Sequence, residues 1–199
     1  MGQILGITGG IASGKSSVST FIKELGFPII DADVVAREVV EPGEEAYHEI
    51  VKVFGEGILF PDGDINRPKL GDVIFHNEEK RLKLNSIVHP AVRKRMRELA
   101  EKAFQDGAKT VFMDIPLLFE SKLTFMVEKT LLVYVDEDVQ LSRLMNRNNL
   151  SEENARARIA SQMPLREKRA LADAVVDNNG DFEVTKERVR TILTNWKVI

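Results

Sequence analysis

Gly9-Gly10-Ile11-Ala12-Ser13-Gly14-Lys15-Ser16 decides how this chain is read. It fits the pattern G-x-x-x-x-G-K-[ST] without a gap. In such a loop, successive backbone N–H groups form a concave nest for phosphate oxygens. The helix that follows adds the positive end of its dipole. Lys15 brings a full charge to the β- and γ-phosphates, and the Ser16 hydroxyl is placed to ligate Mg²⁺. The flanks agree. Gln3 to Thr8 is an apolar run that reads as a buried strand, and Val18, Phe21, Ile22 and Leu25 mark one face of a helix.

At 199 residues, the chain has room for one sizeable α/β domain with an insertion, or for two small lobes. Hydrophobic residues make up 43%, enough for a real core. The formal net charge of −3 recruits neither nucleic acid nor an anionic membrane, so any basic site is local. There are no cysteines, which removes disulfides, thiolate metal sites and cysteine nucleophiles and fits a reducing cytosol. No signal peptide and no apolar run of bilayer length is found. The expectation is a cytoplasmic protein with no nucleic acid and no membrane among its partners.

Downstream of the loop, Phe27 to Ile30 reads as strand two, with Asp31-Ala32-Asp33 at its carboxyl end. Ligands of open parallel sheets bind beyond the carboxyl ends of strands. One Asp suffices to cap the next helix; two exceed that need, and Asp33 is the one assigned a function. Arg37, four residues on, could hold either an anion or that acid. Residues 41–77 are too long for a simple crossover and read as the start of a helical insertion, with a stripe at Tyr47, Ile50, Val51 and Phe54 and a short helix from Asn66 to Phe75. Residues 78–105 are strongly helical, but His89-Pro90 predicts a break into two helices, the second starting at Pro90. His89 reads equally as an N-cap or as a polar group near a phosphate-rich ligand. The basic run Arg93, Lys94, Arg95, Arg97 reads mostly as a solvated face.

Thr110 to Asp114 is a third strand ending in an acid, the usual form of the second nucleotide-site motif, so Asp114 joins Ser16 as a metal candidate. In the run that follows, Leu117, Leu118, Phe119 and Glu120 either line an acceptor pocket or, for the apolar three, pack the insertion onto the sheet. Lys129 to Val135 is strand four, and Ala172 to Asp177 strand five. Between them, from Arg143 to Arg169, seven basic residues stand against three acids. That layout reads as a helical lid over 137–171, which would exclude water and whose Arg143 and Arg147, on one helical face, would neutralise the transferred phosphoryl group, or else as a surface helical hairpin with ordinary salt bridges. Asn178-Asn179-Gly180 turns the chain where an adenine could be read. The ATP-binding candidates are therefore Gly10, Ile11, Ala12, Ser13, Gly14, Lys15, Ser16, Ser17, Arg143, Arg147 and Asn178.

Together these residues resemble the dephospho-CoA kinase family. The likeness is carried by Thr8 to Ser16, Asp31-Ala-Asp33, His89-Pro90, Asp114-Ile-Pro-Leu-Leu-Phe-Glu120, Arg147, Gln162, Ala172-Asp173 and Asn178-Asn-Gly180, in order from about residue 3 to 180. The phosphate loop is widely shared; the Asp114–Glu120 run combined with Asp31-Ala-Asp33 is far more specific. The resemblance implies a P-loop kinase fold: α/β, a five-stranded parallel sheet with helices on both faces, a helical substrate-binding insertion and a helical lid. It implies transfer of the γ-phosphoryl group of ATP, with Mg²⁺, to the ribose 3′-hydroxyl of dephospho-CoA, the last step of coenzyme A biosynthesis. Asp33 would orient or deprotonate that hydroxyl, with Lys15 and Arg147 as its catalytic partners. Asp33, Arg37, His89, Leu117, Leu118, Phe119 and Glu120 would hold the acceptor.

The expected domains are a nucleotide-binding core of 1–40, 106–136 and 172–199, an acceptor-binding insertion of 41–105 and the lid of 137–171, in a monomer or weak homo-oligomer. The rival in the same class is another P-loop nucleoside monophosphate or small-metabolite kinase, which needs a different acceptor pocket. A GTP-dependent switch should carry Asn-Lys-x-Asp, and none occurs.

Overall fold

The computed structural model describes residues 2–199. Five strands, β1 (Gln3–Gly9), β2 (Ile29–Asp31), β3 (Thr110–Asp114), β4 (Lys129–Tyr134) and β5 (Ala174–Asp177), form one sheet in the order β2-β3-β1-β4-β5. The pairs β1–β3, β1–β4 and β4–β5 are parallel. Parallel neighbours need long crossovers, and among the described residues eight helices lie in them: α1 (Lys15–Glu24), α2 (Ala32–Glu38), α3 (Glu45–Phe54), α4 (Arg67–Phe75), α5 (Glu78–Gln105), α6 (Glu137–Asn148), α7 (Glu152–Ala160) and α8 (Leu165–Leu171); α9 (Phe182–Asn195) follows the last strand.

The chain divides into two compact units: residues up to Ile30 with Lys102–Ile199, and Asp31–Glu101. In the first, β1 is central and β3 is wholly buried, the continuous apolar pattern of a sheet covered on both faces. On one face Leu5, Ile7, Phe112 and Val133 pack with Val18, Phe21 and Ile22 of α1 and Val189 and Leu193 of α9. On the other, Leu132 and Val135 pack with Leu165 of α8. Each such side chain removed from water contributes about 1.5–3 kcal/mol before ordering costs. Register places Asp114 opposite Ile7, so β1 runs past the end of β3 and carries its loop beyond the sheet.

In the second unit, Asp31 caps α2 by accepting from the Asp33 and Val34 N–H groups. Asn66 caps α4 through Lys69 N–H, and Tyr47 Oη on α3 donates to the Gly63 carbonyl at 2.7 Å.

Two expectations need correction. Residues 78–105 are one helix, with Pro90 inside it. Pro90 removes the bond to the Ser86 carbonyl, but both residues are exposed, so water satisfies the freed group, and helix-favouring residues on each flank carry the helix through. His89 is therefore an interior helical residue, not an N-cap. Strand five starts at Ala174 rather than Ala172, because the Asp173 side chain accepts from the Thr130 N–H and hydroxyl, taking the place of a ladder bond.

Candidate active site

The phosphate loop sits between the end of β1 and the start of α1. Ala12 and Gly14 are left-handed, with φ of 59° and 88°. For Ala12 that conformation costs on the order of 1 kcal/mol. Gly14 is required twice over, since a Cβ there would also come within 2.1 Å of Asn178 Nδ2. What holds the loop is a set of side chains from elsewhere in the unit. The Ile11 N–H donates to Gln162 Oε1 and the Ile11 carbonyl accepts from Gln140 Nε2, each at 2.8 Å. Asn178 Nδ2 donates to the Ser13 carbonyl at 2.8 Å while its Oδ1 accepts from Thr185 Oγ1. Ile11 and Ala12 also pack with Leu141 and Leu144 of α6 and Ala155 of α7.

The N-terminus of α1 differs from those of α2, α7 and α9. Those three have a side-chain cap and an acid in the first turn. Gly14 caps α1 with no side-chain bond, and its first turn holds no acid. A bare positive helix end beneath a row of loop N–H groups is suited to a polyanion.

Lys15 and Asp114 form an ion pair at this end of the sheet. Asp114 is 3% exposed, and its other oxygen accepts from Ser19 Oγ at 2.6 Å. The Ser16 and Ser17 residues are exposed at the start of α1. Arg143 of α6 donates to the Asn178 carbonyl at 2.9 Å, and its guanidinium lies 3.8 Å from where a Cβ on Gly14 would stand. Arg147, one turn on, is exposed and donates to Asn148 Oδ1. Asn178 is 5% exposed and its side-chain amide is committed to Ser13 and Thr185, a bracket for the loop rather than a free reader of a base.

Beyond Asp114, Leu118 is fully buried and Phe119 nearly so, which fits packing for both, whereas Leu117 is 41% exposed. Glu120 Oε1 receives the Lys168 ammonium at 2.8 Å and the Met163 N–H at 3.1 Å.

Asp33, Arg37 and His89 belong to the second unit. Within it the Asp33 carboxylate is exposed and takes no hydrogen bond or ion pair, its neighbour Asp31 having the capping role. Arg37 lies in the last turn of α2 without pairing to Asp33. Glu44 and Glu45 pair with Arg95 and Lys94, leaving between α3 and α5 a cleft of about 540 Å³ beside Ile87, Pro90 and Ala91.

Gln140, Ser19, Thr185 and Lys168 were not singled out by residue pattern. The signal was there for two of them: Gln140 sits between Val139 and Leu141, and Lys168 follows Leu165 by three residues on the same face, polar groups where burial is expected.

The hard oxygens a divalent cation would call on are Ser16 Oγ and the Asp114 carboxylate, whose two oxygens accept from Lys15 and Ser19. Among the described residues no group of three or more His, Cys, Asp or Glu could hold a metal ion.

A dephospho-CoA kinase family model matches residues 3–183. A dephospho-CoA kinase of Geobacillus kaustophilus is 57% identical over 195 residues, covering 98% of this chain and 97% of that one. One of Bacillus anthracis is 56% identical over the full length of both. Among solved structures, a protein of Thermus thermophilus superposes with a TM-score of 0.80 at 34% identity, covering 98% of this chain and 97% of its own. A dephospho-CoA kinase from Campylobacter jejuni gives 0.74 at 28%, covering 98% and 96%.

Proposed function

The chain belongs to the dephospho-CoA kinase family, and on that premise we propose that it transfers the γ-phosphoryl group of ATP to the ribose 3′-hydroxyl of dephospho-CoA, giving coenzyme A and ADP. The observation that carries the reading is the bare N-terminus of α1 under a braced phosphate loop, with the Lys15–Asp114 pair beside it. The loop N–H groups and Lys15 bind and orient the triphosphate. Mg²⁺ held at Ser16 and Asp114 would supply charge neutralisation between the β- and γ-phosphates. Arg143 and Arg147, on the helical segment 137–171 read as a lid, are assigned to charge that builds on the transferred group.

Asp33 is assigned to the acceptor. Its free carboxylate suits a group whose partner arrives with the substrate. It orients the ribose hydroxyl and takes its proton as the O3′–phosphorus bond forms; the bond from phosphorus to the β-bridging oxygen breaks, and ADP leaves with that electron pair. A loose transition state demands little early proton removal, so orientation is the larger part of the role. Arg37, His89 and the 41–105 region are assigned to the rest of the acceptor, with Leu117 as the exposed apolar contact. Phe119 and Leu118 back it, and Glu120 anchors that turn. A cytoplasmic location and a monomer or weak homo-oligomer belong to the same reading; no described helix is long and apolar enough to cross a membrane.

The test is direct. Purified protein is given ATP, Mg²⁺ and a panel of acceptors that includes dephospho-CoA, adenosine monophosphate and shikimate. Consumption of dephospho-CoA with formation of coenzyme A is expected; preference for another acceptor overturns the assignment.

A further inference from the structure

Lys168 lies on α8, fully buried, and its ammonium has three acceptors: the Gly9 carbonyl at 2.8 Å, the Pro116 carbonyl at 3.3 Å and Glu120 Oε1 at 2.8 Å. An ammonium has three N–H donors, so none is left over. The acceptors come from the strand end that feeds the phosphate loop and from the turn that follows Asp114. Three neighbouring bonds tighten the same joint. Glu120 also accepts the Met163 N–H, and Gln162 holds the Ile11 N–H. Thr8 Oγ1 donates to the same Pro116 carbonyl at 3.1 Å. Buried ion pairs of this kind seldom add stability over an apolar core, because desolvation offsets their attraction. Their distinct yield is geometric.

We propose that Lys168 is a positioning residue for phosphoryl transfer: its ammonium locks the root of the phosphate loop and the turn after Asp114 onto the 162–168 segment in a single register. The proposal rests on the functional reading above. Transfer is sensitive to such registers, since a misplacement of about 1 Å costs on the order of 10²-fold in rate. A guanidinium, planar and forked, cannot meet three acceptors set around one point.

The experiment compares K168M, K168R, E120Q and the double variant K168M/E120Q by steady-state kinetics and thermal melting. K168M is expected to lower kcat about 10²-fold with both KM values within about threefold, and K168R not to restore it. K168M also leaves the half-buried Glu120 carboxylate without its ammonium, so its melting temperature falls; E120Q in the double variant removes that charge and brings the melting temperature back. Positioning requires kcat to stay down in the double variant. Recovery of kcat together with melting temperature overturns the proposal, as does a K168M kcat within about threefold of the parent, or a double variant that does not fold. If the parent itself consumes no dephospho-CoA, the functional reading falls on its own. The amide resonances of Gly10 and Ile11, which need no acceptor, then decide: a shift in the double variant supports the joint, and unchanged resonances overturn it.

Discussion

Around the phosphate loop, Gln140, Lys168 and Asn178 are each at least nine-tenths buried, and their polar atoms are committed to Gly9, Ile11 and Ser13 backbone groups. In residues 31–101 these ion pairs lie outside: Arg95 with Glu44, Lys94 with Glu45 and Lys52 with Glu49 are all more than a third exposed. The first region fixes its dipoles in advance, which is where electrostatic catalysis gains most, because nothing has to reorganise as charge develops. The second keeps Asp33 exposed and uncommitted, which is what the proposed acceptor role asks of it.

The sharpest way to break that contrast is Lys15→Ala. Turnover is expected to fall about 10³-fold while circular dichroism shows the fold retained; a loss under tenfold would mean that the braced loop is not the phosphate site. Asp33→Asn should lower kcat about 10²-fold and leave ATP affinity and melting temperature where they were. A matching loss of ATP affinity would move Asp33 to the nucleotide side, and a lower melting temperature would make it structural. The contrast also has a stability form. Asn178→Ala strands the Ser13 carbonyl and should cost about 2 kcal/mol, a drop of several degrees, whereas Arg95→Ala should cost no more than about 0.5 kcal/mol. Equal losses would erase the difference between the regions.

The smallest effect is in acid. The Asn179 N–H, with Arg188 nearby, holds the Asp177 carboxyl below its ordinary value of 3.8. A depressed carboxyl contributes stability above its unfolded value and loses it as pH falls through the folded one. Asp177→Asn should therefore flatten the decline of the urea midpoint between about pH 5 and pH 2; an unchanged slope would assign the decline to other acids.

Much of this could be read from the residues. The five strands and the loop follow from apolar runs and a spacing with a mechanism, and Asp114 from its place at a strand end. The braces were harder to see. Gln162, Lys168 and Asn178 act on loop residues 151, 159 and 165 positions away, and no local period encodes a partner at that range. Pro90 misled for the opposite reason: its local cost is real, but exposure at Ser86 lets water absorb it. At Asn178 the sequence shows only a backbone turn, while the side-chain clasp on Ser13 is visible only in the fold.

That same amide has a bearing on biosynthesis. Asn178 reaches back 165 residues to clasp Ser13 and meets Gly14, so a loop that is made first waits for a partner synthesised 165 residues later. At roughly 5–20 residues per second, the ribosome works for on the order of ten seconds or more between the two. Over that interval the nascent phosphate loop lacks its clasp, and a nucleotide would gain its full grip only once the last strand and its following turn had emerged.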